Sequence, residues 1–304
     1  MTNLKREKIA IIGAGAVGST IAYTLLLKNL ASKIILIDIN EKKEEGEVMD
    51  LDDILPLIES GKILGGDFKD ASDADIIILT AGLAQKADES RLDLANKNKE
   101  IIKSIFDKIK PIRENSIVLV ISNPVDVITY FAKQVSGLVD NQVFGTGTSL
   151  DTLRLRSEIG KELNVDPESV EGFVLGEHGD TEFIAWSSVF VGGVPVSKLI
   201  IDPQKNINIE QKVKNAAYEI IERKGATFYG IASVVAEIVE AILLDQNKVM
   251  TISTTFTDKN GKNVCLGIPA VIGADGIVKR WPLEINEEEK AKLELSAETI
   301  AKYI

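Results

Sequence analysis

A single histidine, His178, occurs in the 304 residues, and it sits in the string GEHGD. Imidazole is the one side chain whose ordinary pKa already suits proton exchange near neutrality, so His178 is the first candidate for a general acid or base. A lone histidine is also a common structural residue; here the flanking Gly176 and Gly179 favour a bend at which side chains meet a cleft. A second string, GTGTSLDTLRLR, carries Asp151 and Arg154 three residues apart at the start of an expected helix, hence on one face. Such a pair can be no more than a surface salt bridge. Chemically it offers more: Arg154 can fork onto a carboxylate while Asp151 orients the imidazole and raises its pKa. A third string, AGLAQKADESRLDL, has a polar tip of the kind that closes over a ligand, and its Arg91 can polarise a carbonyl or serve as an ordinary first-turn helix charge.

The glycines of GAGAVG, Gly13, Gly15 and Gly18, follow an apolar strand and open a helix. In that context Gly13 permits a tight turn, Gly15 lets the backbone approach a pyrophosphate seated on the helix N-terminus, and Gly18 allows close helix–strand packing. Asp38, 20 residues beyond Gly18, ends the second expected strand, where it can accept hydrogen bonds from ribose hydroxyls and repel a 2′-phosphate. The expected cofactor is therefore NAD. Lys42 and Lys43 lie close enough to Asp38 that a base there can meet a phosphate, and Val17 and Lys43 join the expected cofactor set.

These residues need a scaffold, and the chain shows one. From residue 8 to about 145, short β-branched runs alternate with helical stretches (KIAIIGAG, KIILIDI, DIIILTAG, SIVLVISNP, QVFGT), the pattern of a parallel sheet with helices on both faces. The first helix is expected to run to Asn29 and the second through the fifties. After about residue 146 the rhythm changes. A helix over 149–163 is expected, then strands around VEGFVLGE and SSVFVGGVPV, two helices across 209–245, a meander with Asn-Gly and Asp-Gly turns, and a charged amphipathic helix over 286–303. The expected fold class is α/β: a Rossmann doubly wound parallel sheet over residues 1–146, followed by an α+β catalytic domain over 147–304.

Forty-six acids against 35 bases give a formal charge of −11, with the bases scattered, so nucleic acid and anionic membrane are unlikely partners. One cysteine, Cys265, excludes an intramolecular disulfide and a thiolate metal cluster; no metal is expected, and a reducing cytoplasm is. Residues 9–27 form an uncharged run that resembles a membrane helix in length, but three glycines and the hydroxyls of Ser19 and Thr20 interrupt its middle, and it divides into a strand and a helix.

Taken together, GAGAVG, Asp38, TAGLAQKADESR, ISNPVDV, LDTLR, GEHGD and KGATFYGIA occur in the order and approximate spacing of the lactate and malate dehydrogenase family, which the whole chain resembles. The resemblance implies that Thr80, Ala81 and Gly82 line the cofactor, that Asn123 contacts both substrate and nicotinamide, that Ile231 packs on the nicotinamide, and that Arg91 rides on a lid. It implies a homotetramer and the reduction of pyruvate to (S)-lactate by NADH, with malate or another L-2-hydroxyacid as the alternative. Position 85 reads the group beyond the reacting carbon in this family, and malate enzymes place an arginine there. Gln85 is neutral, so a second carboxylate would be buried unpaired, although Lys86 stands beside it. Thr227 matches a threonine that narrows the pocket towards a methyl-sized group. A dinucleotide-binding protein without turnover would be expected to lack His178, Arg154 or Arg91, and all three are present.

Bacterial members activated by fructose 1,6-bisphosphate use an arginine that matches Arg156 and a histidine seven residues before the catalytic one; here that position is Glu171. A carboxylate repels a bisphosphate, so the expected outcome is an unchanged rate of pyruvate reduction when this sugar is added to a steady-state assay. A several-fold activation would refute it.

Overall fold

The computed structural model describes residues 8–83 and 91–304, and of Arg91 and Leu92 the backbone alone. The first half runs β1 (Lys8–Ile12), α1 (Ala16–Leu27), β2 (Lys33–Ile37), α2 (Glu41–Asp52), β3 (Ile63–Gly65), β4 (Ile76–Leu79), α3 (Arg91–Ile109), β5 (Ile117–Val120), α4 (Val125–Ser136) and β6 (Val143–Gly145). The second half has α5 (Ser149–Leu163), the short strands β7 (Val170–Glu171), β8 (Val174–Leu175), β9 (Phe183–Ile184), β10 (Phe190–Val191) and β11 (Val194–Pro195), then α6 (Pro203–Lys224) and α7 (Tyr229–Leu243). It closes with β12 (Lys248–Thr257), β13 (Asn263–Gly273), β14 (Gly276–Arg280) and α8 (Glu287–Ile300).

The strands of the first half are apolar at nearly every position because both of their faces are covered. In β1, Ile9 and Ile11 pack with α1 and α7, whereas Ala10 and Ile12 face α3 and α4, as the period of two along a strand requires. Each fully buried Ile or Leu contributes about 1.5–3 kcal/mol of transfer free energy. The parallel strands lie in the order β6-β5-β4-β1-β2-β3, so the strand order reverses between β1 and β4, the point at which such sheets bind ligands.

The meander expected in the second half forms, and it extends this sheet. β12 bridges to β6 through Ser253 opposite Gly145, and β13 and β14 add antiparallel strands beyond it, making a nine-stranded sheet. The helix over 149–163 is present as expected. Three elements differ from expectation, one of them α6, which starts at Pro203 rather than at 209. The second helix stops at Asp52, where a 3-10 turn over Leu55–Leu57 containing Pro56 takes over, and the edge strand β3 is too short to register as a β run. The uncharged run over 9–27 divides at Gly13 into β1 and α1, and no helix among the described residues is long and apolar enough to cross a membrane.

Two glycines of the first turn are irreplaceable for different reasons. Gly13 has φ +114°, open to glycine, and a Cβ on Gly18 would lie 1.9 Å from the Gly13 carbonyl oxygen. Nothing lies within 4 Å of a Cβ built on Gly15. Gly18→Ala is therefore expected to cost roughly 3 kcal/mol or more through overpacking, while Gly15→Ala leaves the unfolding midpoint within experimental error; urea denaturation of both variants checks this contrast.

Candidate active site

Parallel register puts Ile12, Ile37, Leu79, Val120 and Gly145 level with one another at the carboxyl ends of their strands. The residues that follow them, Gly13, Asp38, Thr80, Asn123 and Thr146, therefore share one edge of the sheet. Gly13 N donates to Ile37 O at 2.7 Å, and Thr80 Oγ1 donates to Gly13 O at 2.9 Å, which ties the glycine turn to β2 and β4. Asp38 accepts from Ala14 N at 2.7 Å and from Asn40 N at 2.9 Å, leaving further lone pairs for ribose hydroxyls. The N-terminus of α1 has no side-chain cap, so its first-turn N–H groups and the open space at Gly15 form a cradle for a pyrophosphate. The residues present thus fit a dinucleotide.

Two residues that the sequence reading did not single out buttress this edge. The buried Glu44 accepts from Asp38 N at 3.0 Å and Gly66 N at 3.1 Å; its carboxyl is raised above the usual range, chiefly by burial. Asn98 Oδ1 accepts from Leu83 N at 2.8 Å and its Nδ2 donates to Asn123 O at 2.7 Å, so α3 clamps the loops that end β4 and β5. Ala81 is fixed through its carbonyl, which accepts from Ser122 Oγ at 2.5 Å. Gly82 lies exposed beside it, its Cα facing Asn98. Val17 and Ile231 are half-buried where α1 and α7 meet the core, and Lys43 is exposed in the first turn of α2.

Asp151, in the first turn of α5, has a side chain only 2% exposed. Its Oδ1 accepts from Arg154 Nη1 at 2.8 Å and its Oδ2 lies 2.7 Å from His178 Nδ1. The structure therefore brings together the three residues the sequence proposed as one constellation. The Asp151 charge pushes the His178 imidazole up to about 9 against the opposing effect of burial. Burial alone would raise the Asp151 carboxyl, but the imidazolium and the guanidinium outweigh it and hold it below the usual carboxylate range. His178 remains 27% exposed, with Nδ1 engaged by Asp151.

Asp126 was within the quoted ISNPVDV string but was not proposed for a role. It is fully buried in the first turn of α4, where its Oδ2 accepts from His178 N at 2.8 Å and its Oδ1 from Ser253 Oγ at 2.6 Å. Burial pushes its carboxyl up to about 6. Because α4 starts two residues after Asn123, this bond pins the His178 main chain to the same sheet edge that carries the cofactor cradle. Its signal in sequence was an acid in an otherwise apolar helix start.

Thr227 lies half-buried in the turn between α6 and α7, one residue before Phe228, the N-cap of α7. Gln85 lies outside the described residues, as does the side chain of Arg91. Arg156 donates to the carbonyls of Pro167 and Glu168, and with Glu171 it borders a surface depression distinct from the Asp151 cluster.

Comparison with known proteins agrees with this geometry. Residues 7–145 match the lactate/malate dehydrogenase NAD binding domain and residues 148–304 its alpha/beta C-terminal domain. The chain is 44% identical over 300 residues to an L-lactate dehydrogenase of Clostridium botulinum (strain Loch Maree / Type A3), covering 96% of this chain and 94% of that one. It is 43% identical over 305 residues to an L-lactate dehydrogenase of Acetivibrio thermocellus, covering 98% and 96%. Among solved structures, a minor L-lactate dehydrogenase from Enterococcus mundtii in the ligands-bound form superposes with a TM-score of 0.93 at 39% identity over 98% of this chain and 97% of that one. MGS-M5, a lactate dehydrogenase enzyme from a Medee basin deep-sea metagenome library, gives 0.92 at 39% identity over 98% of both chains. With both halves matched and similarity running end to end, this chain belongs to the lactate/malate dehydrogenase family.

Proposed function

We propose that the chain is an NAD-dependent L-lactate dehydrogenase that interconverts pyruvate and (S)-lactate, with His178 as proton donor and acceptor. The buried Asp151 carboxylate, bonded to Arg154 on one oxygen and to His178 on the other, carries this reading. The two relatives compared above, at 44% and 43% identity, bear that name, which supports pyruvate over the malate alternative.

Bound NADH supplies the hydride to the ketone carbon. The chain's own residues do the rest. Gly13, Gly15, Val17, Gly18, Asp38, Lys43, Thr80, Ala81, Gly82, Asn123 and Ile231 hold the cofactor; the strand-end placement of most of them supports this set. Protonated His178 donates from Nε2 to the ketone oxygen, while Nδ1–H stays on Asp151, which keeps the ring in one orientation. Arg154 turns its guanidinium onto the substrate carboxylate, a fork suited to bidentate pairing. Arg91 offers a charge to the developing alkoxide and Gln85 a neutral side chain beyond the reacting carbon; both assignments rest on the family pattern. Thr227 limits the room for the substrate's methyl group, an assignment that also rests on the family pattern.

We keep the division into a cofactor half, 1–146, and a catalytic half, 147–304, which the junction between β6 and α5 supports. A homotetramer and a cytoplasmic location complete the reading. The family resemblance supports the first; the second is supported by the single cysteine, Cys265, which leaves no intramolecular disulfide to form.

NADH oxidation measured side by side with pyruvate, oxaloacetate and 2-oxoisocaproate tests the activity. Pyruvate is expected to lead by roughly a hundredfold or more in kcat/KM, about 3 kcal/mol at the transition state; parity with oxaloacetate would overturn the specificity reading. The pH dependence has a definite sign. Reduction needs imidazolium, so its kcat/KM should hold below about 9 and fall above it, whereas lactate oxidation needs the neutral ring and should rise towards the same pH. Opposite limbs in the two directions are the expected observation.

A further inference from the structure

A second acid stands behind the proton donor. Glu182, four residues after His178 and just before β9, is 7% exposed, and its Oε2 lies 3.9 Å from His178 Nδ1, the same nitrogen that Asp151 engages at 2.7 Å. At 3.9 Å the carboxyl is too far to share the ring's proton in a hydrogen bond and near enough to feel its charge.

We propose that Glu182 is a positioning residue that exchanges protonation with His178, so that the two groups together set the pH at which pyruvate reduction fails. The proposal rests on the reading of His178 as the reaction's acid. The groups facing Glu182 are Asp151 and Arg154 on α5, His178 itself, and Lys214 on α6, with Asp126 on α4 and Glu177 acting on the same histidine pocket. Burial, then the Asp151 charge, pushes the Glu182 carboxyl up to about 8; the three cationic neighbours pull the other way. Two carboxylates and one imidazolium can coexist there, with Arg154 neutralising part of the excess. Two carboxylates beside a neutral ring are disfavoured, because like charges in a poorly solvated space repel.

The proton balance follows. In pyruvate reduction the Nε2–H bond of His178 breaks and an O–H bond forms on the substrate, so the site loses one positive charge. The ring retains its Nδ1 proton on Asp151. Where Glu182 is ionised, from about pH 8 upward, it is left without its cation at this step, takes a proton from solvent, and releases it again when His178 is reprotonated. A divalent metal does not suit these three groups, since both Asp151 oxygens are engaged and Arg154 already supplies the positive charge.

Because His178 is the only histidine, its ring proton resonances can be titrated by NMR without substrate. In Glu182→Gln the His178 midpoint is expected about one pH unit lower, a roughly tenfold weaker proton affinity, with any second inflection lost. The alkaline limb of pyruvate reduction should move with it. Glu182→Asp, which keeps the charge, should retain a midpoint closer to wild type, and a circular dichroism melt confirms that each variant is folded. Superimposable His178 titrations in wild type and both variants would overturn the proposal. Failure of the wild type to reduce pyruvate would instead refute the activity, a result the substrate-free titration does not depend on.

Discussion

An ionised carboxylate in a protein interior is expensive unless cations and donors surround it, and the Asp151 side chain is almost wholly withdrawn from water. Two cationic groups offset that cost here, the guanidinium of Arg154 and the ring of His178, each at hydrogen-bond distance from a different oxygen. The same interaction runs in both directions. Asp151 stays charged because of its partners, and His178 stays protonated to a pH well above its ordinary range because of Asp151. Under the proposed function, a proton donor poised in this way and a fork for a carboxylate are what the chain adds to the hydride that the cofactor would supply.

The fold exists to hold this cluster against the cofactor cradle. Asp151 and Arg154 come from the first turn of α5, which starts four residues after β6 ends, so the helix grows from the same sheet edge as the glycine turn and Asp38. His178 comes from a loop with no regular structure, and a loop needs external anchoring. Asp126 provides it by accepting the His178 main-chain N–H, and Ser253 on β12 completes the coordination of that buried carboxylate. The pairing of β12 with β6 therefore does more than extend the sheet, because it brings Ser253 to the carboxylate that holds the His178 main chain.

Much of this was legible in the sequence, and the reasons for success and failure are physical. Doubly covered strands such as KIAII and KIILI announce themselves by unbroken apolarity, and α5 by its helical spacing. The constellation of Asp151, Arg154 and His178 was readable because one spacing, i to i+3, and one unique histidine carried it. What escaped was contact across long separations. The bond from Ser253 to Asp126 spans 127 positions, and nothing local in either string points to the other. Glu44 and Glu182 look like surface acids in sequence, and only the tertiary packing that buries them reveals their work. The short edge strand β3 and the stop of α2 before Pro56 escaped for a different reason, since three residues are too few to show a period.

The account stands most directly on the Asp151 carboxylate as the charge that keeps His178 protonated. Replacing it by Asn preserves shape and one of the two acceptor oxygens while removing the charge, and kcat/KM for pyruvate reduction can then be followed from pH 5 to pH 10. The prediction is a loss of roughly 10²–10⁴-fold at neutral pH, with the alkaline limb displaced from about 9 towards the ordinary imidazole range. A variant with near-native kcat/KM and an unmoved alkaline limb would contradict the account, because His178 would then owe its proton to something other than Asp151.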